Sequence, residues 1–184
     1  MNTINFNSFP NLSTPRLILR RISPDDAVDL FPLRADWNVM QYISRPLAKS
    51  VGDAKKLISI IDDSLIKNEG VTWAITLKSD DRLIGTIGYW KIVKEHHRAE
   101  IGYLLAPACQ GKGIMHEALE KVLAYGFEVL KLHSVEAVVA PLNTSSIKLL
   151  ERNGFIKEAH FKENFYFGGR FHDSAVYSLL TTKL

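Results

Sequence analysis

The chain has 184 residues, 46% hydrophobic and 23% charged, with a formal net charge of +3; this is the composition of a soluble globular protein, and at this length one domain buries roughly 70% of its unfolded surface without needing staples. The mild positive charge suits a small anionic ligand and argues against direct nucleic-acid binding, which asks for a concentrated basic patch. Cys109 is the only cysteine, which excludes an intrachain disulfide and fits a reducing, cytoplasmic setting, while the polar N-terminus has no signal-peptide core and no apolar run approaches the roughly 18 residues of a membrane span.

Residues 1–15 hold four asparagines, two serines and two prolines and are expected to form a loose arm before a single domain over residues 16–184. Arg16 to Ile22 reads as the first strand. Ser23-Pro24-Asp25-Asp26 is a helix start, with a capping serine, proline in the first turn and acids at the positive end. Pro32 is expected to kink or split the helix that follows. Ser50 caps a second helix, with Ala54, Leu57, Ile58, Ile61 and Leu65 on one face. Val71 to Leu77, Arg82 to Val93 and Arg98 to Leu105 read as three strands joined by polar turns. A helix over Gly113 to Leu130 places Met115, Ala118, Leu119, Val122 and Tyr125 in a buried stripe. A Val-rich strand, Leu132 to Ala140, precedes a short helix, Asn143 to Arg152, which Asn153-Gly154 ends. Phe155 to Phe161 and Phe171 to Leu180 close the chain as strands. The order β-α-α-β-β-β-α-β-α-β-β implies an α/β (α+β mixed) fold: a mixed, mostly antiparallel sheet of about seven strands with about four helices on its faces.

Gln110-Gly111-Lys112-Gly113-Ile114-Met115 joins a strand to a helix. Its glycines permit a tight turn that leaves backbone N–H groups uncovered, and the helix start adds unpaired N–H groups with partial positive charge. That combination cradles phosphate oxygens; it also describes an ordinary Gly-rich turn. It is not a P-loop, because the positions that motif needs as Gly and Ser/Thr are Ala106 and Gly113, and it is not a dinucleotide fingerprint, because the third glycine falls at His116.

Ala99-Glu100-Ile101-Gly102-Tyr103, then Gln110 to Gly113, then Asn143 through Gly154-Phe155, in this order and spacing, resemble the GNAT superfamily of N-acetyltransferases. The first of these, together with Thr14-Pro15-Arg16-Leu17, resembles the branch that acetylates ribosomal-protein N-termini. The resemblance implies acetyl-coenzyme A as co-substrate, its pyrophosphate held by the amides of Gln110, Gly111, Lys112, Gly113, Ile114 and Met115. Asn143 becomes a cofactor contact as well as a plausible helix cap. The pantetheine arm would pair like an added strand near Leu104 and Leu105. Two positions depart from the family: Met115 stands where Gly or Ala is usual, and would either crowd the cofactor or turn into the core; Leu150 stands where many relatives have a tyrosine acid.

Acetyl transfer to an amine needs a base for the amine, stabilisation of the thioester oxygen and a proton for the leaving thiolate. Glu100 is the candidate base, on the strand face shared with Gly102 and Leu104; the alternative is a surface glutamate paired with Arg98. Ser146 is the candidate acid; the alternative is a helix cap. Lys112 is either a phosphate contact or a solvated lysine. Cys109 reads as a small buried or half-buried thiol rather than a nucleophile, and the six histidines show no metal spacing, so no metal is expected. Trp37, Tyr42, Trp73 and Trp90 are candidates for the acceptor pocket or for the core. The expected partner is an amine acceptor, foremost a protein N-terminal α-amine, with a small amine (amino acid, polyamine or antibiotic) as competitor; a non-catalytic acyl-coenzyme A sensor is the reading from another class. The oligomeric state is not legible, and a homodimer stays open.

Overall fold

The computed structural model describes residues 4–181. One eight-stranded sheet organises them: β1 (Leu12–Ser13), β2 (Leu17–Arg21), β3 (Val71–Leu77), β4 (Asp80–Val93), β5 (Arg98–Leu105), β6 (Ser134–Val139), β7 (Ile156–Phe167) and β8 (Arg170–Leu180). The spatial order is β1-β2-β3-β4-β5-β6-β8-β7. Every neighbouring pair is antiparallel except β5 with β6. Between β2 and β3 lie α1 (Ala27–Ala35), α2 (Trp37–Met40) and α3 (Val51–Ile66); α4 (Ile114–Glu128) links β5 to β6, and α5 (Thr144–Arg152) links β6 to β7.

Alternation along the strands builds a core on each face of the sheet. One face, with Trp73, Ile87, Tyr89 and Ile101, packs under Leu119 and Val122 of α4 and Leu150 of α5. The other, with Ala74 and Leu83, packs under Leu30 of α1 and Ala54 and Ile58 of α3, and Leu104 joins it. The α3 start follows the sequence reading: Ser50 Oγ accepts from the Asp53 N–H at 3.3 Å.

Three expectations change. The strand expected to end at Phe161 continues as β7 to Phe167 and pairs with β8 up to a tight turn at Gly168-Gly169. The arm is not loose over its described residues: Phe6 is buried, its N–H donates to Asn68 Oδ1 at 2.6 Å, and Trp73 Nε1 donates to the Pro10 carbonyl at 2.6 Å. β1, the strand beyond the expected seven, comes from this arm. A two-residue pairing has no periodicity to detect, so composition hid it. The helix at Pro32 is not broken there either: α1 runs through it, and the interruption falls at Asp36, which accepts from the Asn38 N–H at 2.8 Å and caps α2. Val28 and Pro32 both lie on the exposed side of α1, where water can serve the carbonyl that proline leaves without a donor. Among the described residues no helix is long and apolar enough to cross a membrane.

The fit of α4 on the sheet turns on a missing side chain. Tyr89 passes beneath the helix and its hydroxyl donates to the Val122 carbonyl at 2.9 Å; a Cβ at Gly126 would overlap that hydroxyl. Gly126→Ala should therefore destabilise the protein. Helix propensity favours alanine by about 0.5–1 kcal/mol, but overpacking a core costs about 1–3 kcal/mol. Urea unfolding checks this: a lower midpoint is expected, and an unchanged or higher one would mean that Tyr89 yields freely.

Candidate active site

β5 and β6 pair over only three registers, Arg98↔Ser134, Ala99↔Val135 and Glu100↔Glu136. Beyond Glu100 they part, so one edge of β5 is left open. The Ala106 N–H donates to the Ile84 carbonyl of the β4 side at 2.8 Å. By alternation Leu104 and Gly102 also direct their backbone groups to β4, opposite Thr86 and Gly88, and Ile101, Tyr103 and Leu105 direct theirs to the open side. Gln110 Nε2 takes the Leu105 carbonyl at 3.0 Å. Of the pair expected to meet a pantetheine arm, Leu105 thus lies on the open edge, while the backbone of Leu104 is engaged in the ladder; Ile101 and Tyr103 belong to the edge as well. Unpaired backbone groups along a strand are a template for an extended, amide-bearing ligand.

The open edge leads into the Gly-rich loop. Gly111 and Gly113 adopt left-handed φ values of 72° and 71°, conformations that L side chains resist. Gly113 caps α4, and no atom lies within 4 Å of where a Gly111 Cβ would be. Gln110, Gly111, Lys112 and Gly113 are exposed, whereas Ile114 and Met115 turn their side chains into the core. Met115 therefore covers none of the amides; of the two outcomes considered for it, the inward one holds. Arg16 braces the loop. Its Nη1 donates to the Lys112 carbonyl at 2.9 Å and its Nε to Glu117 Oε2 at 2.6 Å; its backbone N–H and Thr14 Oγ1 donate to Glu117 Oε1 at 2.9 and 2.5 Å. Burial pushes the Glu117 carboxyl up, but these donors hold it below the usual carboxylate range. They also screen its charge from the helix terminus one turn away.

Glu100 sits at the last paired register, half-buried. Burial raises its pKa, against the pull of the Trp90 indole, Lys91 and Arg98. It makes no ion pair with Arg98, which pairs with Glu136. A bulge in β4 between Tyr89 and Lys91 sets Trp90 over Gly102, with its indole carbon 3.4 Å from where a Gly102 Cβ would stand. Trp90 is half exposed there, on the face of Glu100.

On the opposite face, α5 brings Ser146 to Tyr103, with the two hydroxyl oxygens 2.7 Å apart. The capping role belongs to Asn143, whose Oδ1 accepts from the Ser146 N–H at 3.1 Å, so the Ser146 hydroxyl is not needed as a cap. Burial pushes the Tyr103 phenol up to about 12, with the Ser146 hydrogen bond opposing. Leu150 is fully buried beneath α5 and contributes only packing. Tyr103 closes the Ala99–Tyr103 motif, where its sequence position alone assigns it no role. Strand alternation puts it on the opposite face from Glu100, a signal that was available; its hydrogen-bond partner, 43 residues on, was not.

Among the described residues, the remaining candidates show no hydrogen bond or ion pair to Glu100 or to the Tyr103–Ser146 pair. Trp73 is a core residue, while Trp37 and Tyr42 are exposed. Cys109 is a half-buried free thiol in the turn Pro107–Cys109. Among the described residues no group of three His, Cys, Asp or Glu side chains is placed to hold a metal ion.

The family profile described as an acetyltransferase (GNAT) domain matches residues 16–156. The chain belongs to the GNAT acetyltransferases. It is 36% identical over 172 residues to the uncharacterized N-acetyltransferase YoaA of Bacillus subtilis strain 168, covering 94% of this chain and 97% of that one. It is 31% identical over 103 residues to the [ribosomal protein uS5]-alanine N-acetyltransferase of Escherichia coli K12, covering 55% of this chain and 53% of the relative. The crystal structure of spermidine N-acetyltransferase from Vibrio cholerae, in complex with coenzyme A and spermine, superposes with a TM-score of 0.81 at 27% identity, over 92% of this chain and 98% of that one. This GNAT protein is thus an N-acetyltransferase, and the open β5 edge and inward Met115 fit a coenzyme A thioester; of the amides expected to hold its pyrophosphate, the Gln110 N–H is instead taken by the Pro107 carbonyl at 3.1 Å, which closes the turn before the loop.

The Arg16–Glu117 pair gives that fit a test. Arg16→Ala should expose the Glu117 charge to the diphosphate site and weaken coenzyme A binding by about 1 kcal/mol, roughly fivefold in Kd. Adding Glu117→Ala should restore it. Calorimetric titration of both variants decides: an equal loss in each would show that Arg16 acts by shaping the loop, not by neutralising charge.

Proposed function

We propose that this enzyme passes the acetyl group of acetyl-coenzyme A directly to a primary amine within a ternary complex, and that the amine is a protein N-terminal α-amine. The observation that carries the reading is the position of Glu100 and of the Tyr103–Ser146 pair on opposite faces of the sheet, beside the same open strand edge. A thioester lying along that edge would have a base on one side and a hydroxyl on the other.

Glu100 takes the proton from the incoming ammonium, directly or through a water. Its raised pKa suits it to an α-amine, which titrates near pH ~8, better than to a lysine near ~10.4. Ser146 gives its proton to the leaving sulfur. Tyr103, protonated throughout the working range because burial raises its pKa, holds the Ser146 hydroxyl in place and can renew its proton. The pair supplies the hydroxyl that Leu150 cannot. Asn143 fixes the first turn of α5, and therefore Ser146, by capping. The loop amides from Gly111 to Met115, with Lys112, would hold the pyrophosphate. Resemblance to ribosomal-protein acetyltransferases supports the peptide acceptor.

Glu100→Gln should lower kcat by about 10²–10⁴-fold and leave coenzyme A affinity unchanged. In the native enzyme kcat/KM should fall as pH drops through a pKa above the ordinary carboxylate range, because protonated Glu100 cannot accept a proton; the variant should lack that limb. Steady-state rates across pH with ribosomal-protein N-terminal peptides and small amines provide the measurement, and full activity of the variant at pH 7 would remove Glu100 from the mechanism. Tyr103→Phe should lower kcat and spare the KM for acetyl-coenzyme A, whereas unchanged turnover would leave Ser146 acting alone.

A further inference from the structure

A cavity of about 330 Å³ opens between the C-terminal end of α1, the start of α3 and the segment joining α2 to α3. Leu47, Pro46, Ala54 and Leu57 give it apolar walls, and Arg34 lines it from α1. Arg34 is 9% exposed, yet its guanidinium has no hydrogen bond or ion pair among the described residues. The contrast with Arg20 is direct: that guanidinium is held by Asp26 at 2.7 and 2.8 Å. The acid nearest to Arg34 in the cavity wall, Asp53, is engaged elsewhere, accepting from the Lys49 N–H at 3.0 Å and meeting Ser50 and Lys56. Two cations stand close as well. Lys49 lines the cavity, and Arg45 stands close enough to push against the Arg34 charge. No side-chain nitrogen or oxygen among the described residues is both sealed and unpaired, so the guanidinium reaches solvent, and the cavity it lines is where it does so.

A buried, unpaired cation is costly unless an anion meets it. A guanidinium presents a planar fork of donors that matches a carboxylate or a phosphate, and the apolar walls favour a single charge on an aliphatic stem over a doubly charged phosphate. The cavity lies on the α1–α3 face of the sheet, the face to which Leu104 and, by strand alternation, Glu100 belong. We propose that Arg34 binds a carboxylate carried by the acceptor, so that the enzyme acts on amines bearing an acidic side chain close to the N-terminus and rejects polyamines. The proposal rests on the amine-acceptor reading above and narrows it.

The test has two arms. In the first, glutarate is titrated into the coenzyme A complex, with inorganic phosphate as comparison. Binding of glutarate to the native enzyme, lost in Arg34→Met, is expected; no glutarate binding, equal binding to both proteins, or phosphate binding in its place would overturn the carboxylate site. In the second arm, acetyl transfer is measured to peptides identical except for Glu, Gln or Lys at positions two and three, and to spermidine. The native enzyme should prefer the Glu peptide at least tenfold in kcat/KM. Arg34→Met should erase the preference through KM, with the KM for acetyl-coenzyme A unchanged, and Arg34→Lys should restore part of it. Glutarate should compete with the peptide; non-competitive inhibition would assign the cavity to a separate effector and overturn the acceptor role. Arg34→Met removes an unpaired buried charge, so its thermal midpoint should not fall. Failure of every peptide and amine to react would refute the acceptor reading itself, and the glutarate arm would still decide the site.

Discussion

The slot exists because a parallel ladder stops early. β5 and β6 share three registers and then separate, while the antiparallel ladder from β4 continues along β5 to Leu105. A strand held on one side only keeps its line but leaves the N–H and C=O of every second residue without a strand partner, and here only the Leu105 carbonyl finds another among the described residues, the Gln110 amide. Those groups would need a partner, and no other strand takes them. The candidate functional groups are placed relative to this edge: Glu100 at its closed end, the Gly-rich loop at its far end, and Ser146 and Trp90 on its two faces.

The loop shows how polarity is arranged once the edge is open. Two left-handed glycines turn the chain into the helix start, and the side chains that follow, Ile114 and Met115, turn inward. An acid one turn into the helix favours the helix dipole but opposes a bound diphosphate. Arg16 and Thr14 reconcile the two demands by covering the Glu117 carboxylate from the outside. The N-terminal segment is thereby coupled to the Gly-rich loop, a contact its asparagine-rich composition does not advertise.

Most elements were legible because they are periodic. The α3 face, the three central strands and the α4 stripe each repeat apolar residues at one spacing, and the structure packs them as that spacing dictates. What escaped was set by contacts between distant segments. β1 is two residues long and pairs only because the arm is anchored by Phe6 and Pro10. The partnership of Tyr103 with Ser146 depends on where α5 docks. Met115 could be read as crowding the cofactor or filling the core, and only the rotation of α4 decides between them. The same holds for Arg34, which looks in sequence like any arginine near a helix end.

The proposed role of Arg34 bears on specificity because one fold serves both protein and polyamine acceptors among the relatives. The transfer chemistry cannot separate these substrates, since each offers a primary amine to the same base and thioester. Discrimination must come from groups away from the reacting atoms, and charge is the strongest such term where water is excluded. A polyamine carries further cations along its length, so a guanidinium that finds no acid, flanked by a second arginine and a lysine, acts against it by repulsion. An acceptor carboxylate relieves that same repulsion and supplies the missing partner. One unpaired cation can therefore act both as attraction for one acceptor class and as exclusion of the other, with the catalytic slot unchanged.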